Sequence, residues 1–136
     1  MRAWWSVVAL GMVLGAAGVG AAQPVFVQQQ RIDAPVDSGG FGEVAVDGTT
    51  MAISAVTETV NGVANAGAVY IYVKQGSSWV LQQRLIAPQA QGGFGRVMDL
   101  SGDMIAVSDG PPGNLRGTVR MYLRTGTTWA FHSLVQ

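Results

Sequence analysis

The chain of 136 residues has no cysteine, one histidine and few charges. Without cysteine there is no disulfide framework, thiolate metal site, cysteine nucleophile or lipid anchor on cysteine. The compartment stays open, since many exported proteins also lack cysteine. Basic and acidic residues number 8 each and together make up 12% of the chain. A nucleic-acid-binding domain needs a clustered basic surface, and this balanced composition gives no such footprint. After Ala22 no apolar run approaches the ~20 residues needed to cross a bilayer. The single histidine, His132, lies beside no acidic residue and at no metal-ligand spacing, so it reads as a strand residue. No nucleophile–base pair, phosphate-cradling loop or paired-carboxylate constellation stands out.

Glycine, by contrast, is abundant: 19 residues without a collagen period, suited to a fold with many tight turns. The glycines expose an internal repeat. Gly39-Gly40-Phe41-Gly42 recurs as Gly92-Gly93-Phe94-Gly95, and Gln29-Gln30-Arg31-Ile32-Asp33-Ala34-Pro35 as Gln82-Gln83-Arg84-Leu85-Ile86-Ala87-Pro88, both 53 positions later. The offset is 54 by Gly48 and Gly102, which places one inserted residue between motif and turn. It is 50 by Gly67 and Gly117, because the second long loop is shorter by four. Length changes confined to turns and loops are what a shared core of strands tolerates.

Residues 1–22 differ from the rest. Arg2 gives a positive start, Val7 to Val19 is apolar and uncharged, and Gly20-Ala21-Ala22 is a small-residue cleavage signal before Gln23. This is the layout of a secretory signal peptide. The alternative is an uncleaved anchor. Its run from Ala3 to Ala22 is barely long enough to span and is diluted by glycine and alanine. Either reading exports the remainder.

From residue 23 onward the chain reads as short strands between turn signals. The expected strands of the first unit are Phe26 to Ile32, Phe41 to Val46, Thr50 to Ala55 and Gly67 to Lys74. Those of the second are Trp79 to Ile86, Phe94 to Leu100, Met104 to Ser108 and Gly117 to Arg124. Asp47-Gly48-Thr49 and Ser101-Gly102-Asp103 read as hairpin turns, Asp103 being a turn residue. Residues 129–136 align with the start of a further unit. The organisation expected is therefore repeat one at about 26–78, repeat two at about 79–128 and the start of a third at 129–136. Tyr70-Ile71-Tyr72-Val73 and Met121-Tyr122-Leu123 are apolar on both faces, which predicts sheets covered from both sides. Four strands in ~50 residues, stacked on their neighbours, is the pattern of a propeller blade. The fold expected is all-β, with two four-stranded antiparallel blades plus the first strand of a third, a partial β-propeller.

Gln-Gln-Arg-Leu-Ile-Ala-Pro, Gly-Gly-Phe-Gly, Leu-Ser-Gly-Asp, Gly-Ala-Val-Tyr-Ile-Tyr-Val and Gly-Ser-Ser-Trp together resemble the bacterial FG-GAP repeat family, which is related to the integrin alpha-chain β-propeller. The resemblance covers nearly all of residues 23–136. It implies a β-propeller, a secreted, periplasmic or cell-surface location, and a role in adhesion or ligand binding. Two departures limit the transfer. The family's Gly-Ala-Pro is replaced by Ser54-Ala55-Val56 and Ser108-Asp109-Gly110. The calcium loop of some members is matched only by Glu58, Asn61 and Asn65 in the first unit and by Asp109 and Asn114 in the second. Neither set has the spacing or charge that a hard cation needs, so no metal or cofactor site is carried over.

Each remaining candidate has a plain alternative. Phe41 and Phe94 are ligand-pocket residues or, the favoured reading, core anchors between blades. Trp79 and Trp129, with Phe26 at the matching position, are a sugar-stacking surface or, as favoured, repeated structural packing. Arg116, Arg120 and Arg124 share strand parity and make a basic stripe or a solvated strand edge. No catalytic, cofactor-binding or metal residue is assigned. The expected function is that of an exported, non-enzymatic repeat protein for extracellular binding or adhesion. Its expected partners are further copies of itself or an extracellular protein or glycan, with no nucleic acid and no membrane span after signal cleavage. The alternatives are a carbohydrate-binding or carbohydrate-active protein whose site forms on oligomerisation, and a remnant of a longer propeller.

Overall fold

A computed structural model describes residues 6–12, 26–35, 38–88, 92–110 and 117–136. The described residues are all-β and contain ten strands. Strands β1 (Ser6–Met12) and β2 (Phe26–Asp33) form an antiparallel pair. Strands β3 (Val44–Asp47), β4 (Thr50–Ala55), β5 (Ala68–Gln75) and β6 (Ser78–Ile86) follow one another through a four-stranded antiparallel sheet. Strands β7 (Met98–Ser101), β8 (Met104–Asp109), β9 (Thr118–Thr125) and β10 (Thr128–Val135) repeat that plan in a second sheet.

The sheets cut the repeat at a different point from the one the sequence suggested. The strand at the head of each repeat does not join the three strands that follow it. It closes the preceding sheet: β6 pairs with β5, and β10 pairs with β9. Residues 129–136 therefore complete the second sheet instead of opening a third unit, and the surplus outer strand is β2, at the front of the chain. The cause is connection length. Gln75 and Ser78 are a hairpin pair joined by only Gly76 and Ser77, which forces β5 and β6 side by side. Between β2 and β3 the chain runs ten residues, 34–43, and is free to cross to the next sheet.

The expected Thr50–Ala55 strand is observed with those bounds, whereas β3 and β7 begin at Val44 and Met98, later than expected. Before them the backbone is held differently. The N–H of Gly42 donates to the Ser54 carbonyl (2.8 Å) and the N–H of Glu43 to Ser54 Oγ (2.9 Å). The same pair recurs as Gly95 to the Ser108 carbonyl (2.9 Å) and Val97 to Ser108 Oγ (2.9 Å). Gly42 thus matches Gly95 and Glu43 matches Val97, so the inserted residue is Arg96. A one-residue register shift also recurs in all three outer strands, in β2 opposite Ala9/Leu10, in β6 opposite Ile71/Tyr72 and in β10 between Phe131 and Ser133. Such bulges bend and twist an edge strand.

Two cores follow from stacking. Ala52, Val69, Ile71 and Leu85 of the first sheet meet Phe94, Met98, Leu100, Ile105, Val107, Tyr122 and Trp129 of the second. The opposite face of the first sheet, with Met51, Ile53, Ala55, Tyr70 and Tyr72, packs with Ile32 of β2, Phe41 and Trp79. The first sheet is therefore covered on both faces at β4 and β5, while Val44 and Val46 of β3 stay exposed on the side of Ile53 and Met51. The second sheet is not so covered. Met121 and Leu123 lie opposite Ala106 and Met104 on a face where Met104 is 42% exposed. The expected two-sided cover is thus observed for Tyr70–Tyr72 and only in part for Met121 and Leu123, which are half-buried.

Part of the expected leader is described: Ser6–Met12 is strand β1, paired with β2. Residues 1–5 and 13–22 lie outside the described residues. Among the described residues no helix is long and apolar enough to cross a membrane.

Candidate functional site

The joint between the two sheets is the most elaborate polar arrangement in the molecule. Its centre is the second Gly-Gly-Phe-Gly motif. The N–H of Gly93 donates to the Asn65 carbonyl (2.9 Å) and the N–H of Phe94 to the Ala66 carbonyl (3.1 Å). Phe94 is fully buried and packs edge-on against Tyr122, with ring centroids 6.4 Å apart. The close approach needs a glycine on the receiving side. A Cβ on Gly67 would sit 3.0 Å from the Phe94 nitrogen and nearer still to its carbonyl oxygen, and φ there is +85°. A side chain at that position meets both a steric block and a backbone conformation that L residues disfavour.

A glutamine clamp holds the outer strands of successive units together. Gln83 Nε2 donates to the Trp129 carbonyl (2.9 Å), and the Trp129 N–H donates to Gln83 Oε1 (2.7 Å). The primary amide thereby bonds both backbone groups of one residue, as a neighbouring strand would. Gln30 does the same to Trp79, at 3.0 and 2.6 Å. Trp129 Nε1 also donates to Gln82 Oε1 (3.0 Å). Two further contacts cross the joint: Gly102 N–H to Asp47 Oδ2 (2.6 Å) and an Arg124 guanidinium N–H to Thr50 Oγ1 (2.9 Å).

Among the described residues the first Gly-Gly-Phe-Gly motif makes no such bonds to a preceding sheet. Gly39, Gly40, Phe41 and Gly42 line a groove with Val56 and Thr57, of about 280 Å³. Gly92, Gly93, Phe94 and Gly95 are buried, whereas Gly39 and Gly42 are exposed and Gly40 and Phe41 half-buried. Phe41 packs edge-on against Tyr70 at 6.0 Å between centroids. The groove offers a ring, two small side chains and glycine backbone. Among the described residues no lining side chain is ionisable, and the one lining hydroxyl, that of Thr57, donates to the Ser38 carbonyl (2.6 Å).

Two buried carboxylates, Glu58 and Asp109, are paired elsewhere. Glu58, 6% exposed, accepts from the Tyr70 hydroxyl (2.7 Å) and from the Arg84 guanidinium, which also lies over the Tyr70 ring. Burial, the bond to Glu58 and its negative charge push the Tyr70 hydroxyl up to about 12. It therefore remains a proton donor to Glu58 throughout the physiological range. Asp109 accepts from Arg120 Nε (2.5 Å), and its Oδ1 is buried without a hydrogen-bond partner among the described residues.

Set against the sequence expectations, Phe94 is a core anchor between the sheets, and Trp129, 2% exposed, is structural. Trp79 is half-buried in the equivalent place, and Phe26 is placed by its backbone alone. Arg120 and Arg124 do share a face, but β9 lies inside its sheet and each arginine is ion-paired, Arg120 to Asp109 and Arg124 to Asp103. They form neither a free basic stripe nor a solvated edge. Arg116 and Asn114 lie outside the described residues. Asn61 and Asn65 have positive φ (52° and 56°), and Asn61-Gly62 turns a small hairpin closed by reciprocal Val60–Val63 bonds. Those asparagines serve the backbone of the loop. Among the described residues no group of three His, Asp or Glu converges as a metal site. His132 is exposed, at the bulge of β10. Sequence reasoning missed the glutamine clamp. Its signal was the recurring Gln-Gln-Arg, read as a marker of the repeat and of the resemblance but given no structural role.

No protein-family model matches the chain, and no curated protein matches it.

Proposed function

We propose that this chain is an exported, non-enzymatic repeat protein whose sheets are β-propeller blades of the FG-GAP type, acting in extracellular binding or adhesion. The observation that carries the reading is the joint. The recurring Gly-Gly-Phe-Gly that carries the resemblance to those repeats is, in its second copy, the segment that bonds one sheet to the next. Two consecutive four-stranded antiparallel meanders stacked face to face, each taking its last strand from the following repeat, support the same reading. An adhesive role is supported by the groove at residues 39–42, 56 and 57, whose described lining is glycine, phenylalanine, valine and threonine. The layout of residues 1–22 supports export by a cleaved leader.

Two measurements test this. The mass of the product recovered outside the cytoplasm is expected to correspond to residues 23–136. Surfaces coated with the chain are expected to retain extracellular-matrix proteins or arrayed glycans saturably, with no product released. Hydrolysis of a polysaccharide by the purified chain would replace the adhesive reading with the carbohydrate-active one.

A further inference from the structure

The joint inside the chain has two halves, and each half recurs once more on the outside. The half that Phe94 and Gly93 present is repeated by Phe41 and Gly40, where the equivalent groove is open. The half that the first sheet presents is repeated by the second. Register shows the match: the pairs Thr50–Val73, Ala52–Ile71 and Ser54–Val69 face the joint, and their counterparts are Met104–Leu123, Ala106–Met121 and Ser108–Val119. Gly67, packed against Phe94, has its counterpart in Gly117, where an added Cβ meets nothing within 4 Å. Leu85 lies in the core between the sheets, and Ile32, one repeat earlier, lies in the other core. Val135, in the same position of β10, is 56% exposed.

We infer that the open face of the second sheet docks onto the groove and covered face of the first sheet of a second copy, head to tail. The occupant is identified by the joint already formed within the chain, where the same two kinds of surface bury each other. A back-to-back pairing of two open faces would leave both Phe41 grooves unused and has no precedent in the molecule. Such a contact is heterologous, so it propagates or closes into a ring instead of stopping at two.

Two features make this joint weaker than the internal one. Ser133 stands where Gln30 and Gln83 stand in the other outer strands, so the amide clamp is missing. Strand β2 also occupies the place that β10 of an incoming copy would take, with Ile32 where Val135 would pack. Docking therefore displaces β2, and the packing of β2 competes with association.

Light scattering or sedimentation of the exported chain, residues 23–136, across a concentration series tests the inference. The wild-type chain is expected to grow past two copies. Met121→Glu blocks the open face and Val56→Glu blocks the groove. Each variant alone is expected to stay at the monomer mass, and an equimolar mixture to form one complex of two chains. Met104→Glu and Thr57→Lys, at exposed positions, repeat the test should either first variant fold poorly by circular dichroism. Ile32→Ser loosens β2 and is expected to raise the association constant about tenfold. The inference is overturned if the wild-type chain stays monomeric, if Val56→Glu and Thr57→Lys associate like wild type, or if the mixture of a front and a back variant yields no complex. None of these outcomes depends on whether the chain binds an extracellular ligand.

Discussion

Replacing Gly67 with alanine tests the claim that the two sheets are held by a close backbone approach. Two separate costs act there. The first is conformational: φ is +85°, a region that costs an L residue about 1–2 kcal/mol. The second is steric, since the new Cβ lies within 3.1 Å of three backbone atoms of Phe94, which cannot swing aside as a side-chain tip could. Forcing a methyl group into a packed site of this kind costs about 1–3 kcal/mol. The sum, about 2–5 kcal/mol, is a large part of the ~5–15 kcal/mol that a domain of this size has.

The two costs can be separated. Gly76 has φ +60° and open space around its missing Cβ, so Gly76→Ala carries only the conformational term. Gly117 has open space and no positive φ, so Gly117→Ala should change stability by less than about 1 kcal/mol. Urea unfolding followed by tryptophan fluorescence suits the comparison, because buried Trp129 lies in the core between the sheets. With a slope of about 2 kcal/mol per molar urea, the midpoint falls by about 1–2.5 M for Gly67→Ala. It falls by about 0.5–1 M for Gly76→Ala and hardly moves for Gly117→Ala. A Gly67→Ala midpoint no lower than that of Gly76→Ala would refute the close approach, and with it the joint.

Gln83→Ala removes both hydrogen bonds to the Trp129 backbone and is expected to cost about 1–3 kcal/mol, read from the same urea midpoint. Arg84→Ala leaves the Glu58 carboxylate, whose side chain is 8% exposed, without its cation; a loss of about 2–3 kcal/mol is expected, partly restored by adding Glu58→Gln. Tyr70, pushed up to about 12, keeps its proton in the folded chain after the unfolded chain has lost it near ~10. The stability it contributes is full below pH ~10 and falls as pH rises towards 12, so a plot of urea midpoint against pH should decline there, less steeply in Tyr70→Phe.

Turns and strand interiors were legible because glycine and alternation are local signals. Thr50–Ala55 sits between a glycine turn and a polar loop, and its bounds are those expected. The partner of each outer strand was misread because a repeat is a cyclic pattern: 79–86 can be assigned to the sheet before it or the one after. The deciding signal was present in the two-residue link Gly76-Ser77, which permits only the backward pairing. The late start of β3 and β7 was not legible. It depends on Ser54 and Ser108, whose hydroxyls accept from the backbone eleven residues away in sequence. The open face was concealed for a related reason. Met121 and Leu123 have the same apolar character as Ile71 and Val73, and only the neighbouring sheet distinguishes a covered residue from an open one.

The segments that recur most faithfully in the sequence are those that build the joint. Gly-Gly-Phe-Gly supplies its backbone bonds, Gln-Gln-Arg its clamp, and the tryptophans near the start of β6 and β10 the residues that are clamped. The residues on the stacking face vary more freely, as Thr50 against Met104 and Ile71 against Met121 show. This follows from the energetics. An apolar face needs only comparable volume, whereas a backbone-to-backbone bond at van der Waals distance fixes residue type at both ends. A sheet whose inner strand has four residues covers little by itself, so the contact with its neighbour supplies the core. What the repeat preserves is thus the interface between units, with the sheet as its support. That is why the single break in the clamp, Ser133, falls on the outer strand beside the open face.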